Sequence, residues 1–354
     1  KKPSDLVEGK CSNHGTEPEE IKEENWFFRL SKYGDAVKEK ILSGDFRVVP
    51  EERQNEITSF IDQGLEDVSF SRPSKDLSWG IPVPDDPTQT MYVWADALSN
   101  YITAVGYGST SPPRAAEFKR WWPADVHVVG KDITRFHAII WPAMLLSAGL
   151  PLPKTLLVHG FIQSGGQKMS KSLGNVIDPF DLVERYGVDP VRYYLLHEIP
   201  TTKDGDFTEE RFREVYAGDL QHTLGNLLSR VTKLAEGKEV RPKLSPEISE
   251  VVNRKWAEYE KELLEFRLDS ALDDAIYLAH FANELIDEIK PWESETSFAA
   301  AIPQLALILH SVAWMLVPFL PDTAKKMFEQ LGMDPGKQHG WEGTSVTMKK
   351  GEAL

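Results

Sequence analysis

Cysteine is almost absent: Cys11 stands alone in a chain of 354 residues. It excludes an internal disulfide and suits a reducing compartment. Positive charge is also short, because 40 Lys and Arg face 55 Asp and Glu, leaving a net charge of −15. That balance excludes a general nucleic-acid-binding surface, whose affinity comes from Lys and Arg neutralising phosphates. A specific RNA partner at a local basic groove stays open, since exposed charges farther apart than a Debye length are largely screened. No uninterrupted apolar run is long enough to span a bilayer, and Lys1-Lys2-Pro3-Ser4-Asp5 lacks the apolar core of a signal peptide. No membrane partner is expected. A Walker loop is missing, because Gln167 separates Gly166 from Lys168, and no G-x-G-x-x-G follows a strand. The chain opens on lysine instead of methionine, so it is expected to begin inside a longer protein.

What is present is enough apolar residue, 41%, for a sizeable core and two or three domains. Residues 1–80 are polar and broken by turns. Cys11 and His14 make half a zinc site, and with no second cysteine pair this chain alone is not expected to bind metal. Helices are predicted over 35–43 and 51–64, the second with Ile57, Phe60 and Ile61 on one face. The prolines at 82 and 84 keep 77–84 extended and away from central strand positions. A short strand is predicted at 91–94 and a helix over 95–105. Trp94, Ala97, Leu98 and Tyr101 then cluster where strand gives way to helix, which taken alone is ordinary core.

Residues 126–129 carry a buried-strand pattern ended by Gly130-Lys131-Asp132, and 133–148 an apolar helix despite Pro142. Beyond the carboxyl end of such a strand glycine permits close approach of a ligand, and an acidic residue can accept from ribose hydroxyls. Gly130 and Asp132 stand there. His137 falls one turn along, on the face of Ile133; a lone histidine on an apolar helix is usually a satisfied core residue. A second strand, 155–162, completes a βαβ unit and runs into Gly165-Gly166-Gln167-Lys168-Met169-Ser170-Lys171-Ser172-Leu173-Gly174-Asn175. Its glycines give a mobile backbone, and two ammonium groups three residues apart can converge on one polyphosphate. Taken alone, such a run is also what a solvated basic hairpin tip looks like. From residue 178 the pattern turns helical, with helices near 209–236, 247–266, 268–290, 297–316 and 322–331, a bundle. Asn226 and Arg230 share one helix face, and Lys290-Pro291-Trp292 ends a helix on an aromatic. An exposed Trp can stack an unpaired base, while Asn and Arg can read base edges.

These residues resemble a known family. Lys168-Met169-Ser170-Lys171-Ser172 matches the KMSKS signature of class I aminoacyl-tRNA synthetases, after the last sheet strand. With Trp94-Ala95-Asp96-Ala97, Gly130-Lys131-Asp132-Ile133, His137 and Trp141-Pro142, the resemblance narrows to the methionyl-tRNA synthetase family, over essentially the whole length.

The resemblance implies an α/β then all-α chain: the second half of a Rossmann-type parallel-sheet catalytic domain, then a helix-bundle anticodon-binding domain. Its expected division is 1–80, the rest of a connective insertion; 81–165, the Rossmann half; 166–212, the KMSKS loop and stem-contact region; and 213–354, the bundle. It implies ATP-dependent activation of methionine and transfer to tRNA(Met), with Mg2+ in attendance. Lys168 and Lys171 would be catalytic and, with Ser170, would hold ATP phosphates; Gly130, Asp132, His159, Phe161 and Ile162 would surround adenine and ribose. Trp94, Ala97, Leu98, Tyr101, Ile133 and His137 would form the methionine pocket, suiting a thioether that favours polarizable neighbours and weak donors. Asn226, Arg230, Pro291 and Trp292 would read the anticodon. The family's His-x-Gly-His motif is absent. Cys11 and His14 resemble the second half of a Cys3His knuckle, so Zn2+ is expected only if an amino-terminal half supplies the other ligands. That half is the expected partner. The alternative is a catalytically inert tRNA-binding module, and the expected compartment is the cytoplasm or, alternatively, the mitochondrial matrix.

Overall fold

The computed structural model describes residues 6–7, 10–11, 16–17, 23–77, 79–170, 174–333 and 346–349. The chain divides between Val158 and His159 into two compact units. The first is α/β and the second is dominated by helices, as the sequence predicts.

In the first unit, α1 (Gly34–Leu42) leads to β1 (Arg47–Val49) and α2 (Glu51–Asp62). Ile57 and Ile61 of α2 are buried and Phe60 packs beside them, the face expected from their spacing. A three-stranded antiparallel sheet follows, β2 (Ser71–Pro73), β3 (Pro82–Val83) and β4 (Asp86–Met91), with β4 in the middle. The proline-bearing β3 lies at its edge, where a missing N–H leaves no gap in the ladder. Two expectations shift here. Of the strand predicted at 91–94 only Met91 is strand, as the last residue of β4, and Val93 and Trp94 instead open the helix α3 (Val93–Thr103), two residues before its predicted start. The polar β4 hides from pattern reading because its buried Gln89 is held by hydrogen bonds, accepting from Ser71 Oγ at 2.7 Å and donating to Glu24 O at 2.7 Å.

After α4 (Pro112–Trp121), β5 (Val126–Gly130) and β6 (Thr155–His159) join β1 in a sheet of order β1-β6-β5, with β6 parallel to β1. The expectation of a fully buried β5 needs correction. His127 and Val129 turn inward, but Val128 is 63% exposed, so the strand alternates as a half-covered one does. Between β5 and β6 the helical run opens as a 3-10 turn (Lys131–Ile133), widens to a π turn (Phe136–Ile140) and ends as α5 (Trp141–Ser147). Pro142 explains the widening. Proline lacks an N–H and its ring crowds the carbonyl four residues back, here Ala138, and the wider turn relieves that crowding.

In the second unit, β7 (Ile162–Ser164) pairs antiparallel with β8 (Gln167–Lys168) and parallel with β9 (Gly205–Phe207). The strand predicted over 155–162 is therefore broken. The backbone at Gly160 passes so close to Lys203 that a Cβ would lie 2.0 Å from the Lys203 carbonyl, and Phe161 N donates to Asp204 Oδ1 at 2.9 Å instead of to a sheet neighbour. Helices α6 (Pro179–Tyr186) and α7 (Val188–His197) follow, α6 capped by Asp178 as its sequence predicts. Then come α8 (Glu209–Val215), a ten-residue π segment (Tyr216–Gly225), α9 (Asn226–Ala235), α10 (Pro246–Leu264), α11 (Leu268–Ile289), α12 (Glu295–Leu316) and α13 (Pro321–Leu331). In the π segment Thr223 Oγ1 donates to Gly218 O, five residues back, at 2.9 Å. By length and composition α12 is the one helix among the described residues that could cross a bilayer. Ile302, Leu305, Leu309, Val312 and Leu316 are instead fully buried against the other helices, which makes α12 the axis of the bundle core.

Candidate functional site

The first unit holds an aromatic cluster where α3, β5 and the 3-10/π run meet. Trp94 stacks on Phe136 with ring centroids 4.0 Å apart, and His137 stands edge-on to Trp94 at 6.1 Å. One turn along α3 from Trp94, Leu98 is 1% exposed; Ala97 and Ile133 are half-buried. His137 is buried, with Nδ1 3.0 Å from Ile133 O and Nε2 2.9 Å from the Tyr101 hydroxyl. A carbonyl can only accept, so Nδ1 carries the proton and Nε2 accepts from Tyr101 O–H. Burial holds the His137 pKa below its ordinary value, partly opposed by the Ile133 hydrogen bond, and burial raises that of Tyr101. The walls are thus uncharged and polarizable. All six residues expected for the methionine pocket lie in this one unit.

Two neighbours escaped the sequence reading. His127 is buried and tilted over the Tyr101 ring at 4.4 Å, its pKa pushed down to about 4 by burial and by the nearby His137. Its signal was its position, two residues from Val129 and so on the same face of the strand. Phe136, three residues after Ile133, is the other; helical spacing puts it beside the pocket residues.

Gly130 ends β5 and Asp132 lies exposed in the 3-10 turn after it. His159, Phe161, Ile162, Lys168 and Ser170 belong to the second unit. There Gly165 and Gly166, at φ of 61° and 74°, form the two-residue turn between β7 and β8, a left-handed pair that favours glycine. Gly166 N donates to Asp206 Oδ1 of β9 at 2.9 Å, tethering the tip. The exposed Lys168 ammonium lies 4.4 Å from the centre of the Phe161 ring, and Ser170 N donates to Asn175 Oδ1 at 2.8 Å. His159 Nδ1 donates to Gly160 O at 2.8 Å. Asp204 and Asp206, which fix this hairpin, gave no sequence signal. Lys171 lies outside the described residues, as does His14; Cys11 closes a two-residue strand (Lys10–Cys11). Among the described residues no three His, Cys, Asp or Glu side chains come close enough to cage a metal ion.

On the bundle, Asn226 opens α9 and Arg230 follows one turn later. The Arg230 guanidinium pairs with Asp287 of α11 and lies 5.7 Å from the centre of the Trp292 ring. Lys290, in the left-handed region at φ 51°, ends α11, so that Pro291 is buried while Trp292 is 52% exposed. Arg230 and Trp292 are brought together; Asn226 is exposed on the same face of α9.

The family model described as tRNA synthetases class I (M) matches residues 1–232. A methionine-tRNA ligase of Caldanaerobacter subterraneus subsp. tengcongensis is 45% identical over 344 residues, 93% of this chain and 53% of that protein. One of Thermosynechococcus vestitus is 43% identical over 94% of this chain and 65% of that protein. The chain thus spans between about half and two thirds of the length of these curated relatives. Among solved structures, Mycobacterium tuberculosis methionyl-tRNA synthetase in complex with methionyl-adenylate matches with a TM-score of 0.85 at 36% identity, over 96% of this chain and 70% of that one.

Proposed function

The chain belongs to the class I tRNA synthetases of the methionyl type, and from that premise we propose that it is the carboxyl-terminal part of a methionine-tRNA ligase. Together with an amino-terminal portion it would join methionine to ATP as methionyl-adenylate, releasing pyrophosphate, and pass the methionyl group to tRNA(Met). The observation that carries the amino-acid choice is the Tyr101–His137 pair. Its fixed tautomer leaves a hydroxyl oxygen and aromatic faces toward a thioether and offers no charge to a polar competitor. Trp94, Ala97, Leu98 and Ile133 would complete the pocket.

Lys168 and Lys171, with Ser170, would hold the ATP phosphates and stabilise charge on the departing pyrophosphate. The Gly165-Gly166 turn would deliver them from a hairpin anchored on Asp206. Gly130, Asp132, His159, Phe161 and Ile162 would take adenine and ribose, the last two through backbone groups. Mg2+, which such ATP chemistry uses, would be held chiefly by the substrate phosphates, since among the described residues no three His, Cys, Asp or Glu side chains come together to cage it. Zn2+ would likewise require ligands beyond this chain. Asn226, Arg230, Pro291 and Trp292 would read the anticodon, Trp292 by stacking and Arg230 from a position fixed by Asp287. The four-segment division at 80/81, 165/166 and 212/213 assigns these roles in order, and the single cysteine suits the cytoplasm or, alternatively, the mitochondrial matrix.

ATP-pyrophosphate exchange with methionine, measured with the amino-terminal portion supplied, tests this. Exchange should depend on methionine, and Lys171→Ala should lower it about a hundredfold or more while methionine affinity holds. Anticodon-dependent tRNA binding with no exchange would instead favour an inert binding module.

A further inference from the structure

His197, at the end of α7, has a carboxylate at each ring nitrogen. Nε2 lies 2.9 Å from Asp273 Oδ1 of α11, and Nδ1 lies 3.1 Å from Glu198 Oε1. Carboxylates accept, so both nitrogens must donate, and a neutral imidazole has one N–H to give. The surroundings favour the same state. Tyr193 stacks on the ring at 4.7 Å and donates its hydroxyl to Asp219 Oδ2, on the π segment, at 3.0 Å. The neighbouring cation, Arg211 of α8, is engaged by the other oxygen of Glu198 at 2.7 Å and by Glu214 at 3.2 Å. Three carboxylates, from α11, the π segment and the end of α7, therefore face one imidazole. Burial opposes the charge, but the hydrogen bond and charge of Asp273, then Glu198 and Asp219, outweigh it and hold the pKa above its ordinary value.

The position of this ring matters as much as its charge. Just before it on α7, the Tyr194 hydroxyl donates to Asp206 O at 3.2 Å, and the Asp206 side chain holds Gly166 N at the hairpin tip. On the other side, α11 runs from Asp273 to Asp287, about 21 Å at 1.5 Å per residue, and there grips Arg230 beside Trp292. The geometry points to His197 as a protonated pin, a positioning residue that clamps the helix under the Lys168 hairpin to the helix that carries the base-reading face. Through it, RNA seated at Arg230 and Trp292 steadies the loop that holds the nucleotide. This coupling rests on the function proposed above; the charge of the pin does not.

The experiment follows the ring nitrogens of His197 by 15N NMR in the full enzyme, wild type and Asp273→Asn, and measures pyrophosphate exchange and tRNA charging on the same samples. Wild-type His197 should keep both nitrogens protonated above the ordinary imidazole midpoint, and Asp273→Asn should lower its midpoint by about one pH unit or more. Charging should fall about tenfold in Asp273→Asn and move with that midpoint, exchange should stay within about twofold, and Asp273→Glu should restore charging. A wild-type midpoint at or below the ordinary imidazole value, or charging that ignores Asp273→Asn at every pH, overturns the proposal. Absent exchange in the wild type would count against the ligase reading while leaving the NMR result to decide the charge of the pin.

Discussion

His137 in the first unit and His197 in the second are both largely buried and both engaged at each ring nitrogen, yet they are left in opposite charge states. A carbonyl and a hydroxyl flank His137; two carboxylates flank His197. A hydroxyl can donate to a lone pair and a carboxylate cannot, so the partner's chemistry decides the charge and burial only sets the stakes. The first region is thereby left uncharged. The second is an ionic junction, fit to hold two helices in register.

The comparison can be pressed by substitution and by pH. The largest effect should come from Leu98→Ala, which opens a cavity beneath the aromatic cluster and should cost about 2–5 kcal/mol in urea unfolding. Acid comes next, because His127 is neutral when folded, with a pKa near 4, and ordinary when unfolded. A depressed histidine pKa means the unfolded chain binds the extra proton, so stability present above the ordinary histidine range is lost as pH falls toward 4, on the order of 3 kcal/mol. His127→Leu should flatten that acid limb; an unchanged limb would detach His127 from the uncharged region. Tyr101→Phe should cost about 1–3 kcal/mol, because it strands Nε2 of His137 without a donor, and should weaken methionine binding measured by calorimetry. The smallest effect should carry the opposite sign. The raised pKa of His197 contributes stability that is complete below the unfolded-state value and fades as pH rises through the folded one, with a slope of at most about 1.4 kcal/mol per pH unit. The stability difference between wild type and His197→Gln should shrink along that upward titration; a difference that grows would erase the contrast between the two regions.

The helices were legible because their ends are written in the sequence. Pro and Gly signals between apolar stretches placed the bundle helices to within a residue or two, and in the structure Asp178, Thr208, Ser245 and Ser294 each accept a backbone N–H at a helix start. Strands were harder. Asp86–Met91 carries its burial through hydrogen-bonded Gln89 instead of an apolar alternation, and the break at Gly160 is imposed by backbone 43 residues away. At the site, Tyr101, Ile133 and His137 were found together through resemblance and helical spacing. The carboxylates that set His197 lay on other elements, where no local pattern could announce them.

The π turn ahead of Pro142 has a consequence for anyone aligning or editing this chain. Such a turn is one residue inserted into an α-helix, and one residue is about 100° of rotation. Trp141 and Leu145, after the turn, pack in the aromatic cluster, while Ala138 and Ile139, within it, and Ala143, after it, pack in the sheet core. A single-residue gap between positions 136 and 140 is therefore no small indel: deleting one residue there would turn every later side chain of the helix toward the wrong neighbour, while leaving its composition almost untouched.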